Sequence, residues 1–180
     1  MLTQAGSCAS APLFQIRDAE VVRAGKTILN VSLDEGEHVA LLGPNGAGKS
    51  TFIQLLTREV FPLFREEPSV RFRGQARPLL EDIRSSLGIV SATMHDQVRV
   101  HLPAIEIVMG GVFGTLGLPM RANVDGRVRD RARDALERLG IGDLANRDIM
   151  TLSTGQVRRA LVARELVRDP QVLVFDEPCT

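Results

Sequence analysis

The fold is decided by the stretch Gly43-Pro44-Asn45-Gly46-Ala47-Gly48-Lys49-Ser50-Thr51, where two glycines separated by four residues precede lysine and serine. The apolar run Val39–Leu42 comes directly before it and is typical of a buried strand. The apolar residues between Phe52 and Leu56 follow with the spacing of a helix that packs on a sheet. Strand, glycine-rich loop and helix in succession predict a phosphate-binding loop rather than an ordinary glycine-rich turn.

The chemistry of such a loop suits a polyphosphate. Glycines let successive backbone N–H groups converge on one point, and the helix that follows adds its free N–H groups and the positive end of its dipole. Lys49 would place a full positive charge at the β- and γ-phosphates. The Ser50 hydroxyl would coordinate Mg²⁺, and Thr51 could donate to an inner phosphate.

Composition narrows the class of protein. The chain has 180 residues, of which 44% are hydrophobic, which is enough for a sizeable core. Lys+Arg and Asp+Glu both number 22, so no overall field favours nucleic acid, and we expect no nucleic-acid partner. Cys8 and Cys179 lack metal-ligand spacing and fit a reducing, cytoplasmic setting. No run approaches the roughly 18 apolar residues of a membrane span.

Along the chain, residues 1–12 resemble a flexible leader, and residues 13–180 form one domain with a helical insertion at about 98–154. Asp34 to Glu37 is typical of a tight turn. The hydrophobic patterns predict strands at 14–22, 27–33, 70–73 and 87–90 and a short helix at 78–86.

The glycine-rich apolar segment 103–120 allows two interpretations. The pattern predicts a short helix followed by a mobile, partly apolar segment. The segment either fills the core or forms a surface on which a partner docks, because apolar glycine-rich segments are easily reshaped.

Two helices are predicted in the second half. Asp125–Leu139 carries an apolar stripe, and Gly140 is placed to end it in the left-handed conformation. Ser153 with Gln156 forms a capping-box pattern that opens a second helix, which Asp169-Pro170 stops. The arginines of that second helix are expected to stay solvated: Arg158, Arg159, Arg164 and Arg168.

The run Val172–Phe175 predicts a buried parallel strand that ends at Asp176 and Glu177. Open α/β sheets bind ligands at this edge, and adjacent carboxylates there suit a metal ion. Asp176 would hold Mg²⁺ or its water shell, and Glu177 would polarise the attacking water as general base. A solvated turn is the alternative interpretation.

Taken together, the motifs resemble the nucleotide-binding subunit of an ATP-binding cassette (ABC) protein. Gly43–Thr51 is similar to the Walker A motif of that family, and Val172–Glu177 to its Walker B motif with the catalytic glutamate. Residues 152–156 are similar to the family signature Leu-Ser-Gly-Gly-Gln, with Thr154 in place of the first glycine. The resemblance runs from about residue 14 to residue 180.

The resemblance implies an α/β fold: a P-loop NTPase core of ABC type with an antiparallel β subdomain and a helical subdomain. It implies ATP and Mg²⁺ as cofactors, a head-to-tail dimer, and transmembrane permease subunits as partners at the inner face of the cell membrane. In that dimer the signature residues Ser153, Gly155 and Gln156 of one subunit would close the ATP site that Lys49 of the other subunit begins.

Three departures from the family pattern stand out. The family stacks adenine on an aromatic residue where this chain has Ala24, with Arg23 beside it as a possible stacking partner. The usual glutamine after the strand at 87–90 is replaced, with Gln97 as a candidate substitute. The family continues beyond position 180 with a strand that carries a histidine, so the resemblance predicts that the C-terminal strands are missing from this chain.

The sequence therefore predicts an ATP-hydrolysing subunit of an ABC transporter that docks on the membrane partner near residues 90–120. The residues around Ile89 and the segment 105–118 resemble a branch with molybdate-type or siderophore-type import. The alternatives are a soluble ABC ATPase acting on ribosomes or DNA, and a nucleotide-binding fragment that does not hydrolyse ATP. The transported substrate and its direction do not follow from the sequence.

Overall fold

The computed structural model describes residues 11–21, 26–27 and 30–176. The chain divides into two compact units, Met1–Arg84 and Ser85–Thr180. The predicted leader at 1–12 lies almost entirely outside the described residues, and the bounds of a helical insertion at about 98–154 stay a prediction.

The secondary structure mixes strands and helices, as the α/β prediction requires. The strands are β1 (Phe14–Ile16), β2 (Glu20–Val21), β3 (Lys26–Thr27), β4 (Val31–Leu33), β5 (Val70–Phe72), β6 (Leu87–Ser91) and β7 (Val172–Asp176). The helices are α1 (Lys49–Leu56), α2 (Leu80–Ser86), α3 (Ala92–Gln97), α4 (Ala104–Gly110), α5 (Gly126–Arg138) and α6 (Thr154–Leu166). Short 3₁₀ turns lie at Gly111–Phe113, Gly142–Leu144 and Ile149–Thr151.

The first unit contains the predicted antiparallel β region. Strand β1 lies between β4 and β5 and pairs antiparallel with both, while β2 pairs with β3. Alternate residues of β1 and β5 point inward, and the rings of Phe14 and Phe72 pack with centroids 4.8 Å apart. The antiparallel β region of the fold prediction is therefore confirmed.

Two of the predicted strands are shorter than expected. The region 14–22 divides into β1 and β2, because Asp18 adopts a positive φ of 47° that interrupts an extended run. The Asn30 side-chain oxygen accepts a hydrogen bond from the Asp18 backbone at this break. The region 27–33 likewise divides into β3 and β4. The turn predicted at Asp34–Glu37 is present, with the Glu37 N–H donating to the Asp34 carbonyl at 3.2 Å.

The strand predicted before the phosphate loop is absent. Val39–Leu42 has no regular secondary structure, and the side chains of Val39 and Leu42 are 46% and 94% exposed. A strand needs a hydrogen-bonded neighbour, and none of the described strands pairs with this run. The prediction of a buried strand here is wrong. An apolar pattern shows that a segment can be buried, but it does not show whether a neighbouring strand is present to pair with it.

In the second unit, β6 and β7 pair in parallel, with Leu87 opposite Val172 and Ser91 opposite Asp176. Both predicted strands are confirmed. However, β7 is only half-buried, and Phe175 is 48% exposed, whereas a fully buried strand was expected. In the described part of the chain β7 pairs only with β6, so one of its edges has no neighbouring strand.

Helix α5 matches its prediction closely. It spans Gly126–Arg138, and the Asp125 side chain accepts a hydrogen bond from the Val128 N–H at 2.9 Å. Gly140 follows with φ of 67°, the left-handed conformation that ends such helices. The apolar stripe of α5 packs on α4 and α6.

The glycine-rich segment 103–120 resolves mainly as core. Every residue of α4 except Glu106 is buried, and α4 packs on α5 and α6. The core interpretation therefore holds for 104–111. Farther along, Phe113 and Met120 are exposed, so the part after α4 is the one that remains available as a surface.

Glycine at position 111 is required by packing. A Cβ added there would lie 2.0 Å from the Arg164 carbonyl oxygen of α6, which is far inside van der Waals contact. The absence of a side chain lets the 3₁₀ turn at Gly111–Phe113 approach the backbone of α6.

We predict that Gly111→Ala destabilises the protein by about 1–3 kcal/mol, the usual cost of overpacking. Gly126→Ala is the matched control, because a Cβ there meets nothing within 4 Å. The free energies of unfolding in urea measure both. Equal stability of the two variants would contradict the close approach of this turn to α6.

Candidate nucleotide-binding site

The glycine-rich loop has the conformation that its sequence predicts. Gly46 and Gly48 adopt positive φ values of 79° and 99°, and the Ala47 N–H donates to the Pro44 carbonyl at 3.1 Å. A residue with a Cβ disfavours these φ values, so the two glycines make the tight curl possible. The curl delivers the chain directly into α1, with Gly48 as its N-cap.

The N-terminus of α1 lacks a cap of its own. Its N-cap residue, Gly48, offers no side chain to accept from the first amides, and no acidic residue lies in its first turn. The first N–H groups of a helix have no intrahelical acceptors, and the helix dipole is positive at this end. An N-terminus left open in this way fits an external anion such as a phosphate.

Lys49 lies across the loop. Its Nζ donates to the Gly43 carbonyl at 2.7 Å and to the Pro44 carbonyl at 3.1 Å. Both acceptors belong to the loop, so the ammonium group is held beside the predicted position of the phosphates. The remaining ammonium hydrogen can donate to an anion in the curl.

The predicted metal ligands lie on different units. Ser50 is exposed in the first turn of α1, in the first unit, and Asp176 is half-buried as the last residue of β7, in the second. Hydroxyl and carboxylate oxygens are the donors that Mg²⁺ prefers, so the chemistry of this pair fits the ion. Thr51 is half-buried, and Asn45 is exposed in the loop turn. Glu177, the predicted general base, lies outside the described residues.

The signature segment shows the capping box that its sequence predicts. The Ser153 Oγ accepts from the Gln156 N–H at 3.4 Å, and the Gln156 Oε1 accepts from the Ser153 N–H at 2.9 Å. The two bonds fix the start of α6 at Thr154. Gly155 is exposed, and a Cβ there would meet nothing within 4 Å, so the N-terminus of α6 is open to an approaching group.

One of the arginines predicted to be solvated is buried. Arg164 is 6% exposed, its Nε donates to the Thr115 carbonyl at 3.1 Å, and its Nη1 donates to Glu165. Glu165 is itself 4% exposed. The prediction failed because α6 packs on several sides, against α4, α5 and β6, which leaves it a narrow solvated face.

Burial is the main cause of the shifted pKa of the Glu165 carboxyl group. It raises the pKa of Glu165, while the charges of Arg164 and Arg168 and a hydrogen bond from the Ile89 backbone oppose the shift. The effect of burial prevails, so the pKa of Glu165 lies above that of a glutamate in water.

Two further predictions concern the residue that stacks on adenine and the substitute for the family's glutamine. Arg23 and Ala24, where adenine stacking was expected, lie outside the described residues. Gln97 is exposed at the C-terminal end of α3, and its suggested role stays a prediction.

A histidine–carboxylate contact close to the signature was not predicted. The His101 Nδ1 donates to the Asp148 Oδ2 at 2.7 Å, although the residues are 47 positions apart. His101 holds the pKa of Asp148 below its usual range, and a hydrogen bond from Met150 adds to this effect. No local pattern indicates this pairing, because only the folded chain brings 101 and 148 together.

Two features are absent from the residues that the structure describes. No helix in the described part of the chain has the length and apolar character needed to cross a bilayer. Within the same residues, no three His, Cys, Asp or Glu side chains gather as a metal-binding group.

Comparison with known proteins identifies the family of this chain. Residues 27–180 match the ABC transporter family. The uncharacterized ABC transporter ATP-binding protein YlmA of Bacillus subtilis (strain 168) is 33% identical over 171 residues, covering 93% of this chain. The ABC transporter ATP-binding protein ModF of Escherichia coli (strain K12) is 32% identical over 176 residues, covering 94% of this chain. This chain therefore belongs to the ABC transporter family.

Solved structures support the same fold. The structure of cbiO1 from Clostridium perfringens, part of the ABC transporter complex cbiONQ, covers 92% of this chain with a TM-score of 0.73 and 25% identity. The predicted P-loop core of ABC type is thereby confirmed. The chain spans 64% of YlmA, 35% of ModF and 65% of the cbiO1 chain.

We predict a distinct pH dependence for Glu165→Gln. The folded pKa of Glu165 is raised, so above the usual pKa of a glutamate the unfolded state loses its proton first. The contribution of Glu165 to stability therefore falls as pH rises from the usual pKa towards the raised one. Glutamine does not titrate, so the variant should gain stability relative to the natural chain over this window.

Urea unfolding at several pH values from about 4 to about 8 tests this. Glu137→Gln is the control, because Glu137 is exposed on α5. A difference between Glu165→Gln and the natural chain that does not change with pH would contradict the raised pKa.

Proposed function

We propose that this chain is the ATP-binding and ATP-hydrolysing subunit of an ABC transporter. The observation that carries the proposal is the uncapped N-terminus of α1, with the Lys49 ammonium held to the carbonyls of the loop that precedes it. This arrangement offers backbone donors, a helix dipole and a lysine charge to one polyphosphate. Membership of the ABC transporter family and the names of its relatives support the same ligand.

Within the site, each residue has a separate proposed task. The backbone of Gly43–Gly48 and Thr51 orient the phosphates, and Lys49 stabilises negative charge at the β- and γ-phosphates. Ser50 and Asp176 would hold Mg²⁺, which when bound offsets the charge of the phosphate oxygens. Glu177 would accept a proton from the water that attacks the γ-phosphorus, as the bond to the ADP oxygen breaks.

A second copy of the chain completes the site in this proposal. The open N-terminus of α6, with Ser153 as its cap and Gly155 exposed, would receive the γ-phosphate bound by the partner. Gln156 fixes the cap through its bond to the Ser153 N–H. The same physics that makes α1 an anion site then operates across a head-to-tail interface.

Permease subunits are the further partners that we infer, at the inner face of a membrane. The support is that cbiO1 is part of a transporter complex, and that Phe113 and Met120 are exposed in the segment after α4. The transported substrate is left open.

We predict that Lys49→Ala weakens ATP binding at least about tenfold, because charged hydrogen bonds to the phosphates are lost. Arg127→Ala, on the exposed face of α5, serves as the matched control for removal of a positive charge. Titration of the purified chains with a fluorescent ATP analogue measures both. Equal affinities of the two variants would refute the assignment of the ATP site.

Glu177→Gln separates binding from hydrolysis. It should leave ATP affinity unchanged and lower phosphate release to the level of Lys49→Ala, because the amide cannot accept the proton of the attacking water. Undiminished phosphate release would exclude Glu177 as the base. Binding without release in the natural chain would favour nucleotide binding without hydrolysis.

A further inference from the structure

The signature segment is preceded by a turn that one residue organises. Asp148 is the N-cap of the 3₁₀ turn Ile149–Thr151, and its Oδ1 accepts from the Met150 N–H at 2.9 Å. Its backbone carbonyl accepts from the Thr151 N–H at 2.9 Å and from the Thr151 Oγ1 at 2.7 Å. Leu152 and Ser153 follow this turn directly, so the position of the Ser153 cap depends on where Asp148 is held.

Backbone hydrogen bonds tie this region to the segment before α4. The Ile149 N–H donates to the Leu102 carbonyl at 2.9 Å, and the Ala104 N–H donates to the Arg147 carbonyl at 2.9 Å. Pro103 forms an antiparallel bridge with Asp148. The residues around 102–105 and 145–149 therefore run side by side. The first of these segments leads into the buried helix α4, which fixes its position.

His101 comes just before the first of these two segments, and its side chain contacts Asp148 in the second. Its Nδ1 donates to the Asp148 Oδ2, so the two carboxylate oxygens of Asp148 bind two different segments, His101 on one side and the 3₁₀ turn on the other. The His101 side chain is 81% exposed and that of Asp148 is 34% exposed. Exposed pairs add little to global stability, so the effect of this contact should be local.

We propose that His101 is a positioning residue for the signature segment, acting through Asp148 to hold the turn that precedes Ser153. We call this contact the His101–Asp148 clasp. The inference rests on the proposed role of Ser153 at a partner's nucleotide for its functional meaning. The clasp itself is a property of the single chain and can be tested without nucleotide.

Amide hydrogen exchange of the purified chain, followed on a peptide that covers 149–156, tests the clasp directly. We expect His101→Ala to accelerate exchange in this peptide about two- to fivefold, the range that corresponds to loss of an exposed pair. His101→Asn should restore slow exchange, because its amide nitrogen lies where Nδ1 lies in the natural chain. Peptides of α5 should exchange at the same rate in every variant.

A double-mutant cycle shows whether the effect passes through Asp148. Asp148→Ala should accelerate the same peptide at least as much as His101→Ala, and adding His101→Ala to it should change nothing further. Asp143→Ala, an exposed carboxylate in the neighbouring 3₁₀ turn, is the control and should leave exchange unchanged. Unchanged exchange in His101→Ala, or an equal effect of that change without Asp148, would overturn the proposal.

The functional arm uses the chain with Glu177→Gln and MgATP, monitored by sedimentation. His101→Ala should weaken ATP-dependent self-association about two- to fivefold and leave ATP affinity of the monomer unchanged, while His101→Asn restores association. Association that is equally strong in His101→Ala would contradict the positioning role. Absence of ATP-dependent association in the parent chain would instead refute the proposed dimer, and the exchange experiment would still decide the clasp.

Discussion

The reciprocal hydrogen bonds between Ser153 and Gln156 fix where α6 begins, and the second unit is built around α6. Helices α4 and α5 and strand β6 all pack on it, and Gly111 lets a turn approach its backbone closely. Because packing holds the body of α6, its open N-terminus has a defined direction. A helix end that is both fixed and uncovered can present its N–H groups to an anion from outside the chain.

The two helix N-termini that we propose to face phosphate differ in how they are capped. At α1 the N-cap is a glycine in the left-handed region, which supplies no side-chain cap, whereas α6 has a complete capping box. The difference fits the proposed roles. In these roles the backbone of the loop before α1 surrounds a phosphate, whereas α6 presents only Ser153 and the exposed Gly155 at its N-terminus. The buried Arg164 side chain also donates to the Thr115 carbonyl, which ties α6 to the segment after α4.

The sequence predicts those parts of the fold and of the candidate site that depend on residues close together in the chain. The backbone curl at Gly46 and Gly48, the capping box at Ser153 and the end of α5 at Gly140 depend on neighbouring residues, and all three are present. Two predictions that depend on distant neighbours failed: Val39–Leu42 lacks a pairing strand among the described residues, and Arg164 is buried by helices that its own pattern does not reveal. The His101–Asp148 contact is long-range for the same reason.

In the proposed head-to-tail dimer, Lys49 of one chain and Ser153 of another enclose the same ATP. Mixing Lys49→Ala chains with Ser153→Ala chains and measuring ATP-dependent association tests this pairing. Each mixed dimer has one site with both residues intact, so mixed dimers should form while each variant alone stays monomeric. If the mixture associates no better than the separate variants, Lys49 and Ser153 do not enclose the same ATP.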